Sequence, residues 1–215
     1  VGVNPGPMTA AAERTAIVVH GRGGHGAHPY LAVDPVLVAG HIITAAQSIV
    51  ARNVNPVESA VISICAMQAG DVGAFSVIPR EARLVGTVRT FRPEVQDLVE
   101  ERLARLVDSV AVAFGATASL HYQRTYPATI NSGQHAMFAA DVAASLVGED
   151  RVTRQMSPSM GAEDFSFMLQ VKPGAYLRLG QGGGAFLHNS RYDFNDDVLP
   201  LGGALLAGLV ERSLP

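Results

Sequence analysis

The sequence of 215 residues is rich in apolar side chains (48%), poor in charged ones (16%) and slightly acidic, with a net charge of −3. An intrinsically disordered chain is excluded, because such chains are poor in apolar residues and strongly charged. A nucleic-acid-binding protein is disfavoured, because it needs a basic surface and here 16 Lys and Arg stand against 19 Asp and Glu. The length allows one or two domains with proper cores.

The same composition argues against a membrane protein and against a disulfide-bonded one. Lys172 is the single lysine, so a polybasic membrane-binding patch is not expected. Apolar stretches such as 198–210 are interrupted by Pro or Gly and fall short of the ~20 residues of a membrane span. Cys65 stands alone and cannot form an internal disulfide. We therefore expect a cytoplasmic protein without nucleic-acid or membrane partners.

Residues 12–127 show an alternation of strand and helix patterns. Alternating β-branched and apolar side chains predict strands, and helical spacing of apolar residues predicts two helices that begin at Asp34-Pro35 and at Pro93. In chain order the prediction is a strand over 15–20, a helix to Arg52, strands over 59–68 and 81–91, a helix ending at Gly115 and a strand over 116–126. This βαββαβ order predicts a ferredoxin-like α+β domain, with two helices on one face of a four-stranded antiparallel sheet.

The character of the sequence changes after residue 127. The patterns predict a helix capped by Ser132, a strand near Val152, a short helix over 163–169, a strand over 174–180 and a helix over 199–212. Such alternation is typical of a layered α/β domain. Because the strands are few, we interpret residues 128–215 as the second half of such a domain.

Seven histidines prompt a search for metal ligands, but the sequence contains no H-E-x-x-H motif and no cysteine pair. His25 lies in the glycine-rich segment 21–30, which is either an ordinary surface loop or a place where a histidine contacts a ligand as donor or acid–base group. His188 precedes the polar run 189–197 and is either part of a turn or a metal ligand. The residues alone leave these alternatives open.

Three charged residues have similar alternatives. Glu163 and Asp164 either supply negative charge to the first turn of a short helix or hold a ligand beside a pocket. Arg89 is either an exposed cation on a strand or a clamp for a carboxylate, because its guanidinium fork binds both oxygens.

Four segments together carry a resemblance to a known family. They are GRGGHGAHPYLAVDPV (21–36), SVIPREARLVGTVRTF (76–91), PSMGAEDFSFML (158–169) and LHNSRYDFNDDVLPLG (187–202). In this order they resemble the dinuclear metallo-amidohydrolases and peptidases, which include aminoacylases, carboxypeptidase G-type enzymes and hippurate hydrolases. The likeness favours the hippurate or N-acyl-amino-acid hydrolase branch.

The resemblance implies an organisation and an activity. Residues 12–127 would be the lid and dimerisation domain, and residues 1–11 and 128–215 would be portions of an α/β zinc-peptidase-like catalytic domain. The intact protein would be a homodimer that hydrolyses the amide bond of N-acyl amino acids with two divalent ions, which are Zn, Mn, Co or Ni. The alternative is a dimerisation and ligand-binding module without hydrolase activity.

The resemblance also implies roles for single residues. His188 would be a metal ligand, and His25 would reach across the dimer to polarise the scissile carbonyl of the partner's substrate. Arg89 would bind the substrate carboxylate.

The remaining implied contacts are with the substrate. Glu163 and Asp164 would line the pocket beside the metals, and Asn189, next to the metal ligand, is also a candidate substrate contact.

Two departures from the family pattern stand out. Ser76, a candidate substrate contact, occupies a position where the family usually has Asn, and a hydroxyl offers one donor in place of two. The segments that carry the other metal ligands and the general-base Glu are not in this sequence, which opens on Val1. We therefore expect a longer polypeptide, and we expect these 215 residues to be inactive by themselves.

Overall fold

Regular secondary structure accounts for most of residues 1–214, the part of the chain that the computed structural model describes. The strands are β1 (Gly6–Thr9), β2 (Ala11–His20), β3 (Gly24–His25), β4 (Ala60–Ala69), β5 (Val77–Ile78), β6 (Glu81–Thr90), β7 (Thr117–Tyr126) and β8 (Thr129–Asn131). The α-helices are α1 (Pro35–Arg52), α2 (Pro93–Ala113), α3 (Gly133–Val147), α4 (Phe165–Val171) and α5 (Leu199–Ser213).

These elements belong to two compact units. One unit, here called the sheet unit, comprises Ala10–Ala128 and Met160–Ala162. The other, here called the terminal unit, comprises Val1–Thr9, Thr129–Ser159 and the residues from Glu163 onward.

A four-stranded antiparallel sheet organises the sheet unit. Its order is β4-β6-β2-β7, so that β6 and β2 are central and β4 and β7 form the edges. The pairing of β2 with β6 is unbroken from Ala11 opposite Thr90 to His20 opposite Glu81. The edge strands pair less regularly, and Cys65 is the extra residue at a bulge in β4.

Side-chain alternation gives this sheet two different faces. On one face Ile17, Val19, Leu84 and Val88 are buried in one core with α1 and α2. The opposite face, here called the far face, carries the alternate side chains of the central strands, which are Arg14, Ala16, Val18, Arg83, Val85, Thr87 and Arg89. The predicted alternation of β6 is confirmed by its burial pattern.

The helix ends follow the predicted capping rules. The Asp34 side chain accepts a hydrogen bond from the Val36 N–H at 2.8 Å, and Pro35 is the first residue of α1. After α2, Gly115 adopts a φ of +72°, and its N–H bonds to the Val112 carbonyl. Glycine is favoured there because this left-handed conformation strains other residues.

Helix α1 has the length and hydropathy of a membrane-spanning helix, and it is the one such helix among residues 1–214. Its apolar residues Val38, Ile42 and Ile49 are nevertheless buried in the core of the sheet unit. Packing against a sheet thus accounts for its apolar composition.

The terminal unit contains less regular structure. β1 pairs with β8, and α3 packs against α5 through Val142, Ala143 and Leu205. The predicted strand near Val152 and the predicted strand over 174–180 are wrong as strands. In the first segment Thr153 forms an isolated bridge with Gly2, and in the second Arg178 does so. Neither segment lies beside a strand long enough to extend the bridge into a ladder.

Ser132 does precede α3, as predicted, but its side chain does not cap the helix. Its Oγ lies instead 2.9 Å from Nδ1 of His135. The hydroxyl is thus occupied by a side chain of the first helical turn, and the first amides of α3 take no hydrogen bond from it.

An acidic side chain, Glu13, lies inside the core of the sheet unit, where it is 2% exposed. One carboxylate oxygen accepts a hydrogen bond from Gln96 Nε2, and the other, Oε2, has no partner among the described residues. Burial raises the pKa of Glu13 above its ordinary value of 4.5, and the bond from Gln96 and the charges of Arg89 and Arg124 offset only part of that effect.

Replacing Glu13 by Gln is expected to raise the free energy of unfolding near neutral pH by about 1 kcal/mol, because a neutral amide removes the cost of a buried charge. In the wild type, the contribution of Glu13 to stability is complete below pH 4.5 and is lost as the pH rises through the higher pKa of the folded state. The gap between Glu13→Gln and wild type should therefore widen with pH. Urea denaturation at several pH values measures it.

The matched control is Glu101→Gln on the exposed side of α2, where Glu101 pairs with Arg105 at 2.6 Å. An exposed pair of this kind contributes at most about 0.5 kcal/mol, so its effect should be small and nearly independent of pH. A gap for Glu13→Gln that stays constant across the pH range would contradict the account of Glu13 as a buried acid.

Candidate active site

Two residues predicted to contact substrate, His25 and Ser76, lie together at a short ribbon of the sheet unit. The ribbon pairs β3 with β5, with Gly24 opposite Ile78 and His25 opposite Val77. The Gly26 N–H donates to the Ser76 carbonyl oxygen at 2.7 Å. Ser76 thus holds the ribbon by its main chain, which leaves its hydroxyl out of this contact.

The imidazole of His25 is exposed and has a defined donor atom. The Ala27 N–H donates to Nδ1 of His25 at 3.0 Å. Because a main-chain amide can only donate, Nδ1 acts as the acceptor, and the neutral ring then carries its proton on Nε2. His25 is therefore prepared to donate a hydrogen bond from Nε2 to a ligand oxygen.

Two further aromatic side chains accompany His25. The ring of His28 packs edge-on against that of His25 with centroids 5.5 Å apart, and Tyr30 packs against His28 at 6.0 Å. Glycine, alanine and proline separate the three aromatic residues in the sequence, and that spacing alone does not reveal the edge-on contacts between their rings. The contact restricts the orientation of the His25 ring.

Arg89 lies elsewhere in the sheet unit, on the far face of β6. It borders a cavity of about 360 Å³, which is also lined by Ala12, Glu13, Arg14, Gly86, Thr87, Thr125, Tyr126 and Ala162. No hydrogen bond or ion pair joins the Arg89 guanidinium to another residue within 1–214. A half-buried cation in this state is available to bind an anion.

In the terminal unit, Glu163 borders a second cavity of about 550 Å³. This cavity is also lined by Tyr176, Arg178, Gln181, Phe186, Leu187, Tyr192 and Phe194, among others. Glu163 also positions the start of α4, because its carbonyl oxygen accepts a hydrogen bond from the Ser166 hydroxyl at 2.6 Å. Asp164 is exposed, and its side chain makes no capping bond to α4.

Sequence reasoning missed Tyr176 and Arg178 in this cavity. Burial raises the pKa of the Tyr176 hydroxyl, and the negative charge of Glu163 raises it further. Arg178 donates to the Ser159 hydroxyl at 2.6 Å. Both residues belong to the segment 174–180, which is predicted as a buried strand. Polar side chains within such an apolar segment are the sequence signal that could have indicated a cavity there.

His188 occupies an exposed loop and is the one described residue other than glycine with a positive φ, +68°. That conformation costs free energy for a side chain with a Cβ, and it is concentrated at functional sites. The neighbouring Asn189 accepts a hydrogen bond from the Arg191 N–H through its side-chain oxygen at 2.9 Å. Asn189 thus shapes the turn that follows His188.

A divalent ion bound by protein side chains needs several ligands close together. Among residues 1–214, no group of three or more His, Cys, Asp or Glu side chains is close enough to bind one. An exposed imidazole such as that of His188 is a suitable single ligand. The described residues therefore supply one candidate ligand and no complete metal site.

Comparison with known proteins places this geometry in context. The chain is 38% identical over 209 residues to hippurate hydrolase of Campylobacter jejuni and 34% identical over 209 residues to N-acetylcysteine deacetylase of Bacillus subtilis. Each alignment covers 97% of this chain and 54% of the relative. The chain thus spans about half the length of the curated relatives that it matches.

A solved structure is similar over the same range. The YXEP protein of Bacillus subtilis, described as a dinuclear metal-binding peptidase of the M20 family, superposes with a TM-score of 0.78 at 30% identity. The match covers 99% of this chain and 52% of the YXEP chain. The mixed α/β fold described above is therefore one that this family adopts.

The description of the matching family model is peptidase family M20/M25/M40, and the match extends over residues 6–212. This range contains all four segments on which the resemblance was based, and that resemblance is confirmed. The chain belongs to the peptidase family M20/M25/M40.

Proposed function

We propose that the chain is part of a metal-dependent hydrolase that cleaves the amide bond of N-acyl amino acids. The observation that carries this proposal is a pair of unsatisfied groups in the sheet unit, the Nε2–H of His25 and the guanidinium of Arg89. An N-acyl amino acid has a carbonyl oxygen for the first group and a free carboxylate for the second. The similarity to a hippurate hydrolase and to an N-acetylcysteine deacetylase supports the same substrate class.

The sheet unit is proposed to be the ferredoxin-like lid domain, and the terminal unit part of the catalytic domain. The strand order of the sheet and the matched share of the relatives, 54%, support this division. In this proposal the lid forms a homodimer, and its exposed edges β4 and β7 are surfaces that pairing would protect. His25 would then serve the active site of the partner subunit.

In the proposed mechanism, His25 stabilises the negative charge that develops on the carbonyl oxygen during attack by water. Its donor atom is set before the reaction, because the Ala27 amide occupies Nδ1, and such preorganised donors are among the largest contributions to catalysis. Arg89 orients the substrate through its carboxylate. Divalent ions, when bound, supply polarisation of the carbonyl and activation of water, and His188 would contribute one ligand.

The proposal as a whole is tested with the full-length protein that carries this sequence. It should hydrolyse members of a panel of N-acyl amino acids, and a chelator should abolish the activity. The 215-residue chain should be inactive in the same assay. Metal content and activity at background level in the full-length protein would favour the alternative, a dimerisation and ligand-binding module.

His25→Ala in the full-length protein is expected to lower kcat about 10²–10³-fold, because it removes a donor to the developing oxyanion. The KM should change less, since the substrate is held elsewhere. Steady-state kinetics with N-acetyl and N-benzoyl amino acids measures both constants. The control is His20→Ala, whose exposed ring is 3.8 Å from Glu81 and should leave kcat within about twofold. A loss below about tenfold for His25→Ala would count against the proposed role.

His188→Gly is expected to lower the metal content of the full-length protein, because the variant removes an imidazole ligand. Glycine accepts the positive φ of this position without strain, so the backbone should be preserved. Metal analysis by mass spectrometry after dialysis gives the stoichiometry, and circular dichroism checks the fold. The control is His121→Ala in β7, which removes an imidazole elsewhere in the chain and should retain the metal. Alanine is used because glycine would weaken the strand. Full metal occupancy in His188→Gly would refute the assignment.

A further inference from the structure

Arg14 is a second guanidinium beside the proposed carboxylate-binding Arg89. In the register of the central strands, Arg14 lies opposite Thr87, and Arg89 lies opposite Ala12. Thr87 and Arg89 are two residues apart on β6, so Arg14 and Arg89 are diagonal neighbours on the far face. Such neighbours are about 7–8 Å apart, within reach of long side chains.

Both guanidiniums border the same cavity, and neither is neutralised there. Apart from the main-chain pairing of the sheet, no hydrogen bond or ion pair joins the guanidinium of Arg14 or of Arg89 to another residue within 1–214. Other arginines of the sheet unit do have acidic partners: Arg83 pairs with Glu81 at 2.8 Å, and Arg124 pairs with Asp97 and Glu100 at 2.6 Å. The guanidiniums of Arg14 and Arg89 therefore remain available to a ligand at this cavity.

The remaining polar groups around the cavity do not change this balance. Glu13 contributes to the lining, but it is 2% exposed and its carboxylate faces the core, where it accepts from Gln96. The hydroxyls of Thr87 and Thr125 donate to the main-chain oxygens of Glu13 and Ala12, at 2.8 Å and 2.6 Å. The two arginines are thus the charged donors that this cavity offers to a ligand.

We propose that Arg14 determines substrate specificity by binding a second carboxylate, so that the preferred substrates are N-acyl derivatives of acidic amino acids. The inference rests on the proposed function, in which Arg89 binds the carboxylate that every N-acyl amino acid carries. Two cations at diagonal positions of the sheet match the two carboxylates of an aspartate or glutamate residue better than one. Each pairing is a charge-assisted hydrogen bond, which is stronger than one to a neutral group.

The experiment compares substrates that differ only in that second charge. The full-length wild type should hydrolyse N-acetyl-L-glutamate with a kcat/KM at least about tenfold above that for N-acetyl-L-glutamine, as one charged contact predicts. In Arg14→Gln this preference should disappear, through loss of activity toward the glutamate derivative alone. Arg14→Lys, which keeps the charge but not the fork, should retain part of the preference.

Arg83→Gln is the matched control, because Arg83 lies on the far face of the same strand as Arg89 but does not border the cavity. It should leave the preference unchanged. Equal losses on both substrates in Arg14→Gln would overturn the inference, because both arginines would then serve one shared carboxylate or the fold. A wild type without preference for the acidic derivative would overturn it as well.

A binding measurement separates failure of this inference from failure of the proposed function. Calorimetric titration of the full-length protein with N-acetyl-L-glutamate and with N-acetyl-L-glutamine requires no hydrolysis. A preference for the acidic compound that Arg14→Gln abolishes would support the anion site even in a protein that cleaves neither compound. Equal affinities in wild type and Arg14→Gln would refute it.

Discussion

The unbroken antiparallel pairing of β2 with β6 is the constraint on which most of the sheet unit depends. Because successive side chains on a strand alternate between faces, one register decides at once which residues enter the core and which remain on the far face. Ile17 and Leu84 are opposite each other in this register and are both buried. A slip of β6 by one residue would exchange Leu84 with Arg83, and would place a guanidinium in the core.

The same pairing explains why Glu13 lies near the cavity of Arg14 and Arg89 although its carboxylate faces the core. Glu13 and Arg14 are adjacent in sequence, yet Glu13 is buried against α2 and Arg14 is exposed on the far face. The positive charge of Arg89 still lowers the pKa of Glu13, but burial outweighs it. Electrostatic attraction through the sheet is therefore weaker here than the cost of removing a carboxylate from water.

Much of the sheet unit could be predicted from the sequence, because its signals are local and repeated. β-branched alternation in residues 15–20 and 81–91, and the caps at Asp34 and Gly115, give elements whose bounds differ from the structure by a few residues. The terminal unit was harder to predict. The segment 174–180 is apolar enough for a strand, but a strand also needs a neighbouring strand, and its ladder pairing is limited to one isolated bridge with Gly2. Pairing over such distances leaves no trace in a local pattern.

The candidate site was predictable in its residue types but not in its contacts. His25, Arg89 and Glu163 could be selected because glycine-rich turns, a cation on a strand and adjacent carboxylates are chemically suggestive. The bond from the Ala27 amide, the edge-on contact of His28 and the diagonal placement of Arg14 and Arg89 depend on coordinates, since the sequence does not encode the orientation of these groups. The strained backbone of His188 belongs to the same class. A non-glycine residue keeps a positive φ where surrounding contacts outweigh the cost of about 1–3 kcal/mol. Two hydrogen bonds of the turn after it supply part of that compensation: the Arg191 N–H donates to the side-chain oxygen of Asn189, and the Tyr192 N–H donates to its main-chain carbonyl. In the proposed function, a ligand bound by the imidazole would add to that compensation.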